Sequence, residues 1–421
     1  MFKKLTLTPF LFLFLFSCAY CAQVEIGGSY GQWQLLVDKK PFYIKGAGCG
    51  LGEGKKGEDY LKLAKELGAN AVRTWGIDQG DKQYLDAANS YGLYVCAGIW
   101  VNYATDDNGI SFLSGDYSKE IEKEALSYVE EFKNHPAVLA WGLGNECIFF
   151  TQREEEKIAL SRFLNELIEK IHKIDPNHPV VYASAGYNAL EYIKKYIPAL
   201  DIIGMNAYAS LRPYQGAWQY LKIDKPYILT EFGPPIPYQS SKDKNGASIE
   251  IGDKQKAIYY REFINQMREF KGANLGGFAF HLGETTQESM TWWNINYLDF
   301  KKYPYWAVYK LYTLKEPDNS PPVIKSFKLN KTRLRKKEFV EIDFSCEDPE
   351  NDQMCYELKV STAYEGILRY YVNEFVDGET EGLCPATKIQ APEKSGLYRV
   401  YLLVYDGKGN AASLSKTILV E

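Results

Sequence analysis

The sequence predicts an α/β fold, a (β/α)8 TIM barrel, followed by a small all-β Ig-like sandwich. Three observations lead there. Eight short apolar runs, at 42–48, 69–75, 93–100, 138–144, 180–183, 202–206, 227–232 and 277–281, alternate with amphipathic segments. Runs without polar alternation are buried on both faces, which suits a parallel sheet, and eight β-then-α units over about 250 residues favour closure over an open doubly wound sheet. After a polar, proline-punctuated linker at 316–322, apolar residues alternate with polar ones in short strands separated by turn signals, the pattern of a sandwich of about a hundred residues.

Taken in order, residues 1–22 read as a secretory signal: Lys3 and Lys4, an apolar run at 5–16, then small residues and cysteines at 17–22. The run is shorter than the ~20 residues that span a bilayer. Leu15-Phe16-Ser17-Cys18 resembles a lipobox, which would tether the chain to a membrane through a lipidated Cys18; ordinary cleavage near Ala19 or Cys21 is the alternative. Either way the protein is expected to be exported, whether periplasmic, extracellular or membrane-anchored. Residues 23–41 read as short strands leading into the barrel, which runs from 23 to 315, with the sandwich at 323–421. Helical spacing marks 60–67, 82–91, 119–133, 154–174, 189–196 and 254–270.

Composition excludes several functions. Net charge is −5, or 47 − 54 = −7 without the signal, so nucleic-acid binding is not expected. Four histidines, His135, His172, His178 and His281, contain no i, i+4 pair, and no metal or other cofactor is assigned. Cys49, Cys96, Cys147, Cys346, Cys355 and Cys384 follow the signal, three in each region, so each region keeps at least one thiol unless the regions cross-link. A GxGxxG at 52–57, with Asp78 beyond it, is read as a rim loop rather than a dinucleotide site, and no GxSxG is present. The basic run 331–337 is read as a charged hairpin edge. The acidic turn 348–352 has oxygens that suit calcium, but a solvated turn held by Asp and Asn side chains is the plainer reading.

The chemistry lies in two strand endings. The run "NHPAVLAWGLGNE" at 134–146 and the run "PYILTEFG" at 226–233 are apolar strands that close on a glutamate. A carboxylate ending a dry strand is costly unless partnered or working, and the C-terminal ends of barrel strands form the active face. Counting along the chain puts Glu146 on strand four and Glu231 on strand seven, across the barrel mouth. Two facing carboxyls, one protonated and one ionised, can cleave a glycosidic bond.

These motifs, with "LLVDKKPFYIKGAG" and "LGANAVRTWG" at the start of the barrel, resemble the retaining (β/α)8 glycoside hydrolases over roughly residues 35–310. The wording is most like the barrel of glycoside hydrolase family 2, with a looser likeness to β-1,3-glucanosyltransferases. The resemblance implies Glu146 as acid/base and Glu231 as nucleophile. That family normally carries β-sandwiches before the barrel, whereas only about 20 residues precede it here, which sets this chain apart from its exo-acting members.

An ionised Glu231 needs donors. Arg73, ending strand two where the resemblance also places an arginine, and Tyr208, after strand six, are the candidates. Asn145 is placed to bond a sugar 2-hydroxyl. Among the strand-end aromatics Trp75, Trp100, Tyr103, Trp292 and Trp293, Trp100 and Trp292 or Trp293 are chosen as platforms for a pyranose face. His281, ending strand eight, is either a sugar ligand or a satisfied core histidine. The expected function is an exported retaining β-glycosidase or transglycosylase acting on a glucan-like poly- or oligosaccharide. The rival is a carbohydrate-binding surface protein on a non-catalytic barrel. Oligomeric state is not legible.

Overall fold

The computed structural model describes residues 22–51, 60–78, 80–283, 289–362 and 388–421, together with the backbone of 380–382. The signal at 1–21 with Cys18, the GxGxxG segment and Cys384 lie outside the described residues. Ala22, assigned above to the signal, is 4% exposed and packs with Val24 and Leu35, so this residue belongs to the folded body.

The barrel is closed, and its eight strands are all parallel: β1 (Ile44–Cys49), β2 (Ala71–Arg73), β3 (Tyr94–Ile99), β4 (Val138–Asn145), β5 (Val180–Ala185), β6 (Ile202–Tyr208), β7 (Tyr227–Gly233) and β8 (Asn274–Leu282), with β8 pairing back onto β1. The eight apolar runs are these eight strands. Glu146 follows β4 directly, and Glu231 lies within β7. A helix follows every strand: Leu61–Glu66, Lys82–Ser90, Asp116–Phe132, Glu154–Ile174, Ala189–Tyr196, Arg212–Tyr220, Asp253–Glu269 and Tyr303–Thr313.

Two of these helices escape sequence reasoning for opposite reasons. Arg212–Tyr220 buries only Gln215 and Trp218 and contains Gly216, so its apolar stripe is thin. Tyr303–Thr313 is aromatic and apolar on most sides, because one face meets the barrel and Trp306 reaches the C-terminal unit, where its Nε1 donates to Asn410 Oδ1 at 2.7 Å. No periodic stripe survives when both faces are covered.

Residues before the barrel form a three-stranded antiparallel sheet, Val24–Gly27, Gln34–Val37 and Lys40–Phe42. Its Val24, Leu35 and Val37 share one apolar cluster with Ile44, Ala71, Cys96, Val181, Ile202 and Ile228 from the barrel strands. The short strands therefore close the barrel floor, and a larger cluster packs the sheet against the helices.

The C-terminal unit has two sheets. One pairs Phe339–Glu347 with Val323–Leu329 and Lys388–Gln390; the other orders Arg333–Leu334, Ala411–Val420, Gly396–Tyr405, Cys355–Thr362 and Thr380–Gly382. Val340, Ile342, Leu358, Val360, Val400, Leu402 and Ile418 form its core, as period-two alternation requires. Arg333 and Leu334 of the basic run form the edge strand of the five-stranded sheet. Among the described residues, Cys96, Cys147, Cys346 and Cys355 are free thiols. Among the described residues, no helix is long and apolar enough to cross a membrane.

The two units share a buried polar seam. Lys256 Nζ pairs with Glu250 Oε1 at 2.6 Å, and Ser415 Oγ donates to Glu250 Oε2 at 2.6 Å. Lys302 pairs with Asp253 at 3.0 Å, the Ser413 amide donates to Asp253 Oδ2 at 2.7 Å, and Arg399 Nη2 donates to Ser248 O at 2.8 Å. Burial alone would raise the Glu250 carboxyl, but the charges of Lys256 and Arg399 and the bonds from Lys256 and Ser415 outweigh it and hold it down at about 2. Its ionic form is thus favoured by folding, so this stabilisation is complete above the ordinary carboxylate range and is lost as pH falls toward 2. Glu250→Ala strands Lys256 in a dry site and is expected to cost about 3–5 kcal/mol, read as a lower thermal midpoint at pH 7 that converges on the wild type as the pH approaches 2.

Candidate active site

The ends of β2, β4, β6 and β7 bring the site together. Glu231, 6% exposed, receives three donors: Arg73 Nη1 at 2.8 Å and Trp75 Nε1 at 2.8 Å on Oε1, and the Tyr208 hydroxyl at 2.6 Å on Oε2. Arg73 is 3% exposed and is held on both sides, Nη1 also donating to Thr230 O at 3.1 Å and Nη2 to Asn145 Oδ1 at 2.8 Å. Such a charge is stable in a dry barrel only because its counter-charge and acceptors surround it. Burial first, and then the charge of Glu231, lifts the Tyr208 phenol well above its ordinary value, so it stays a donor.

Glu146 hangs from the end of β4 at φ 56°, in the left-handed region, and its amide donates to Ala183 O of β5 at 2.8 Å. A residue here is held in a conformation that costs energy outside glycine, and the reward is the direction of its side chain. Asn206 Nδ2 donates to Glu146 Oε1 at 2.7 Å and to Asn145 Oδ1 at 3.1 Å, while Asn206 Oδ1 accepts from Thr230 Oγ1 at 2.7 Å. The two glutamates are therefore linked by one chain of bonds, Glu146–Asn206–Asn145–Arg73–Glu231. Burial first, then the charge of Glu231, raises the Glu146 carboxyl to about 7 against the opposing effects of Asn206 and Arg73. One carboxyl thus holds its proton near neutrality beside one ringed by donors.

The aromatic residues divide. Trp75 is spent on Glu231 and packs edge-on against Phe280 and His281 at 5.6 and 6.0 Å. Its backbone passes so close to β3 that a Cβ on Gly98 would lie 2.4 Å from the Trp75 carbonyl carbon; only glycine fits there. His281 is 3% exposed, with Nδ1 3.0 Å from Leu282 O, so it packs against Trp75 rather than opening to the cleft. Trp100 is 42% exposed, its Nε1 donating to Asn102 Oδ1 at 2.8 Å. Tyr103 tilts against Phe150 at 5.2 Å.

Trp292 is not a platform. It is 1% exposed, its Nε1 donates to Pro235 O at 2.9 Å, and the Arg399 guanidinium lies over its ring at 5.6 Å. The C-terminal unit supplies that arginine, so the ring is covered by packing that the barrel sequence alone does not reveal. Trp293 is also largely buried, packed against Phe280 at 6.0 Å, with an Nε1 that has no hydrogen-bond partner among the described residues.

Sequence reasoning missed Asn206, Thr230 and the bond from Trp75. Asn206 had a signal, since it is a polar residue ending an apolar strand like the two glutamates. It also missed exposed Phe149, Tyr187 and Tyr238, which follow β4, β5 and β7 on the same face of the barrel as Trp100.

Comparison with known proteins follows this geometry. Residues 31–306 match the model described as glycosyl hydrolases family 2, TIM barrel domain. Human beta-glucuronidase is 27% identical over 224 residues, covering 48% of this chain and 32% of that protein. The beta-glucuronidase of Streptococcus agalactiae is 24% identical over 234 residues, covering 48% and 38%. Among solved structures, Bacteroides uniformis beta-glucuronidase superposes with a TM-score of 0.54 at 15% identity over 94% of this chain and 48% of that one. Dictyoglomus thermophilum beta-D-glucuronidase gives 0.54 at 21% identity over 70% and 54%. The chain spans about a third of the length of the curated relatives it matches. With the family model covering all eight barrel strands, the chain belongs to glycoside hydrolase family 2 through that TIM barrel domain.

Proposed function

We propose that the protein is a retaining β-glycosidase, with transglycosylation as an alternative fate of its intermediate, acting on a glucan-like poly- or oligosaccharide. The observation that carries this reading is the contrast between Glu146, raised to about 7, and Glu231, ringed by Arg73, Trp75 and Tyr208. In the first step Glu231 attacks the anomeric carbon while Glu146 passes its proton to the departing glycosidic oxygen. A glycosyl ester to Glu231 forms, and the aglycone leaves as an alcohol. Glu146, now ionised, takes a proton from water or a sugar hydroxyl, whose oxygen attacks the same carbon and frees Glu231. The carboxyl groups are expected to stand about 5–5.5 Å apart, the retaining spacing.

Neighbouring residues have roles in this scheme. Oε1 of Glu231 already has two donors and Oε2 only the Tyr208 hydroxyl, which makes Oε2 the attacking atom. Asn145 has its Oδ1 occupied by Arg73 and Asn206, so its amide NH2 is the part offered to the sugar 2-hydroxyl. Exposed Trp100 forms a platform, with Phe149, Tyr187 and Tyr238 extending an aromatic rim suited to several sugar units.

A neutral sugar is favoured over a uronic acid, although the named relatives are beta-glucuronidases. The guanidinium of the site, Arg73, is committed to Glu231, Thr230 and Asn145 and has no free fork for a second carboxylate. The C-terminal unit is read as an Ig-like sandwich on the strength of its two sheets. Export, with either a lipid tether at Cys18 or ordinary cleavage of the signal, completes the reading.

A 2-deoxy-2-fluoro β-glycoside should label Glu231, seen by peptide mass spectrometry; a non-catalytic binder takes no label. Glu146→Ala should lose about 10²–10⁴-fold on substrates with poor leaving groups and much less on dinitrophenyl glycosides, which depart without a proton. Its thermal midpoint should hold or rise, whereas Glu231→Ala, which strands buried Arg73, should lower it.

The pH profile of kcat/KM should fall as pH rises through about 7, where Glu146 loses the proton it must donate. Because Asn206 stabilises the ionised form of Glu146, Asn206→Ala should move that alkaline limb to higher pH. In a panel of neutral β-linked oligosaccharides and β-glucuronides, sized by mass spectrometry, turnover should be confined to neutral sugars. Exclusive turnover of glucuronides would overturn the neutral-sugar reading.

A further inference from the structure

We propose that the turn 348–352 of the C-terminal unit is a calcium site. The proposal stands on geometry remote from Glu146 and Glu231 and does not depend on the function assigned to them.

The turn leaves the end of strand Phe339–Glu347 and runs Asp348-Pro349-Glu350-Asn351-Asp352, with Asn351 at φ 62°. One half of the Asp348 carboxyl builds the turn: Oδ1 accepts the amides of Glu350 at 3.0 Å and Asp352 at 2.9 Å. The other half is unexplained by the turn. Asp348 is only 7% exposed, and its Oδ2 is buried with no hydrogen-bond partner among the described residues. A carboxylate oxygen removed from water without a donor is costly. A turn that needed only an Asx acceptor would place the second oxygen in solvent.

The surroundings supply what a hard cation needs. One carboxyl oxygen from each of Asp348, Glu350 and Asp352 lies within 4.8 Å of the other two. Oxygens bound at 2.3–2.6 Å on opposite sides of one calcium ion stand about 4.6–5.2 Å apart, so all three can share an ion with little movement. Among the described residues, a cation pairs with Asp352 alone of the three. Lys408 Nζ is 3.6 Å from Asp352 Oδ1 with a side chain 56% exposed, and Asn319 Nδ2 donates to Asp352 Oδ2 at 2.7 Å. The Tyr303 phenol is pushed up to about 12, by burial first and then by the charges of Glu350, Asp348 and Glu347, which marks the same pool of negative charge. Glu350 is exposed and Asp352 partly so, which leaves room for water to complete the six to eight ligands calcium takes.

The position gives the ion a structural role. Asn319, on the linker between the units, bonds both Asp352 and Asn410, and Asn410 accepts from Trp306 on the last barrel helix. An ion that fixes Asp352 therefore fixes the linker against the barrel.

The test uses the full chain, stripped with a chelator and titrated calorimetrically with calcium chloride and, separately, magnesium chloride. Calcium is expected to bind once per chain with a Kd of about 10⁻⁴–10⁻³ M, as in extracellular modules, and magnesium at least about tenfold more weakly, since it dehydrates reluctantly. At about 10 mM calcium the thermal midpoint should rise by about 2–5 °C. Asp348→Asn keeps the Oδ1 acceptor and so the turn, while Glu350→Gln alters a side chain that the turn does not use; each should weaken binding at least about tenfold. No heat and no shift in the midpoint, equal response to magnesium, or undiminished binding in both variants would overturn the proposal.

Discussion

The buried pairing of Arg73 with Glu231 is the constraint around which the site is arranged. Two opposite charges in a dry barrel are tolerated only when each is fully bonded, and here both are: Arg73 reaches Thr230 and Asn145 as well, and Glu231 takes Trp75 and Tyr208. Each extra bond comes from a different strand end. The need to satisfy one ion pair therefore fixes the mutual placement of β2, β4, β6 and β7. Asn145 and Asn206 carry the same order across to Glu146.

The asymmetry of the two glutamates follows from this arrangement. Glu231 takes the site's guanidinium at close range, and Glu146 has a single amide donor and a negative neighbour. Two identical side chains acquire different surroundings because one strand end faces Arg73 and the other faces Asn206, and the buried Glu146 carboxyl is the one raised, to about 7.

The barrel and the C-terminal unit are coupled through charge as well as through packing. Glu250 lies between the end of β7 and the helix that follows it, Asp253 opens that helix, and they are neutralised by Lys256 and Lys302 from the barrel and bonded by partners on the C-terminal sheet. Arg399 of that sheet also covers Trp292. Asp243, Ser248, Glu250 and Asp253, downstream of Glu231, are thus all bonded to the second unit.

Periodicity is local, so the sequence by itself determined the eight apolar strands, most of the helices, the change to two-residue alternation after the linker, and the two glutamates at strand ends. Arg73, Tyr208 and Asn145 were legible for a related reason, as polar residues where dry strands stop. Contacts between distant segments are not periodic, and only the tertiary structure decided them. It made Trp75, one strand-end aromatic among several, a donor to Glu231, added Asn206 and Thr230, placed His281 against an indole, and covered Trp292 with an arginine more than a hundred residues away. An indole at a strand end reads the same in sequence whether its face meets a sugar, a carboxylate or a guanidinium. What settles the matter is the neighbour that chain closure brings, and closure is a property of the whole barrel and the unit packed on it.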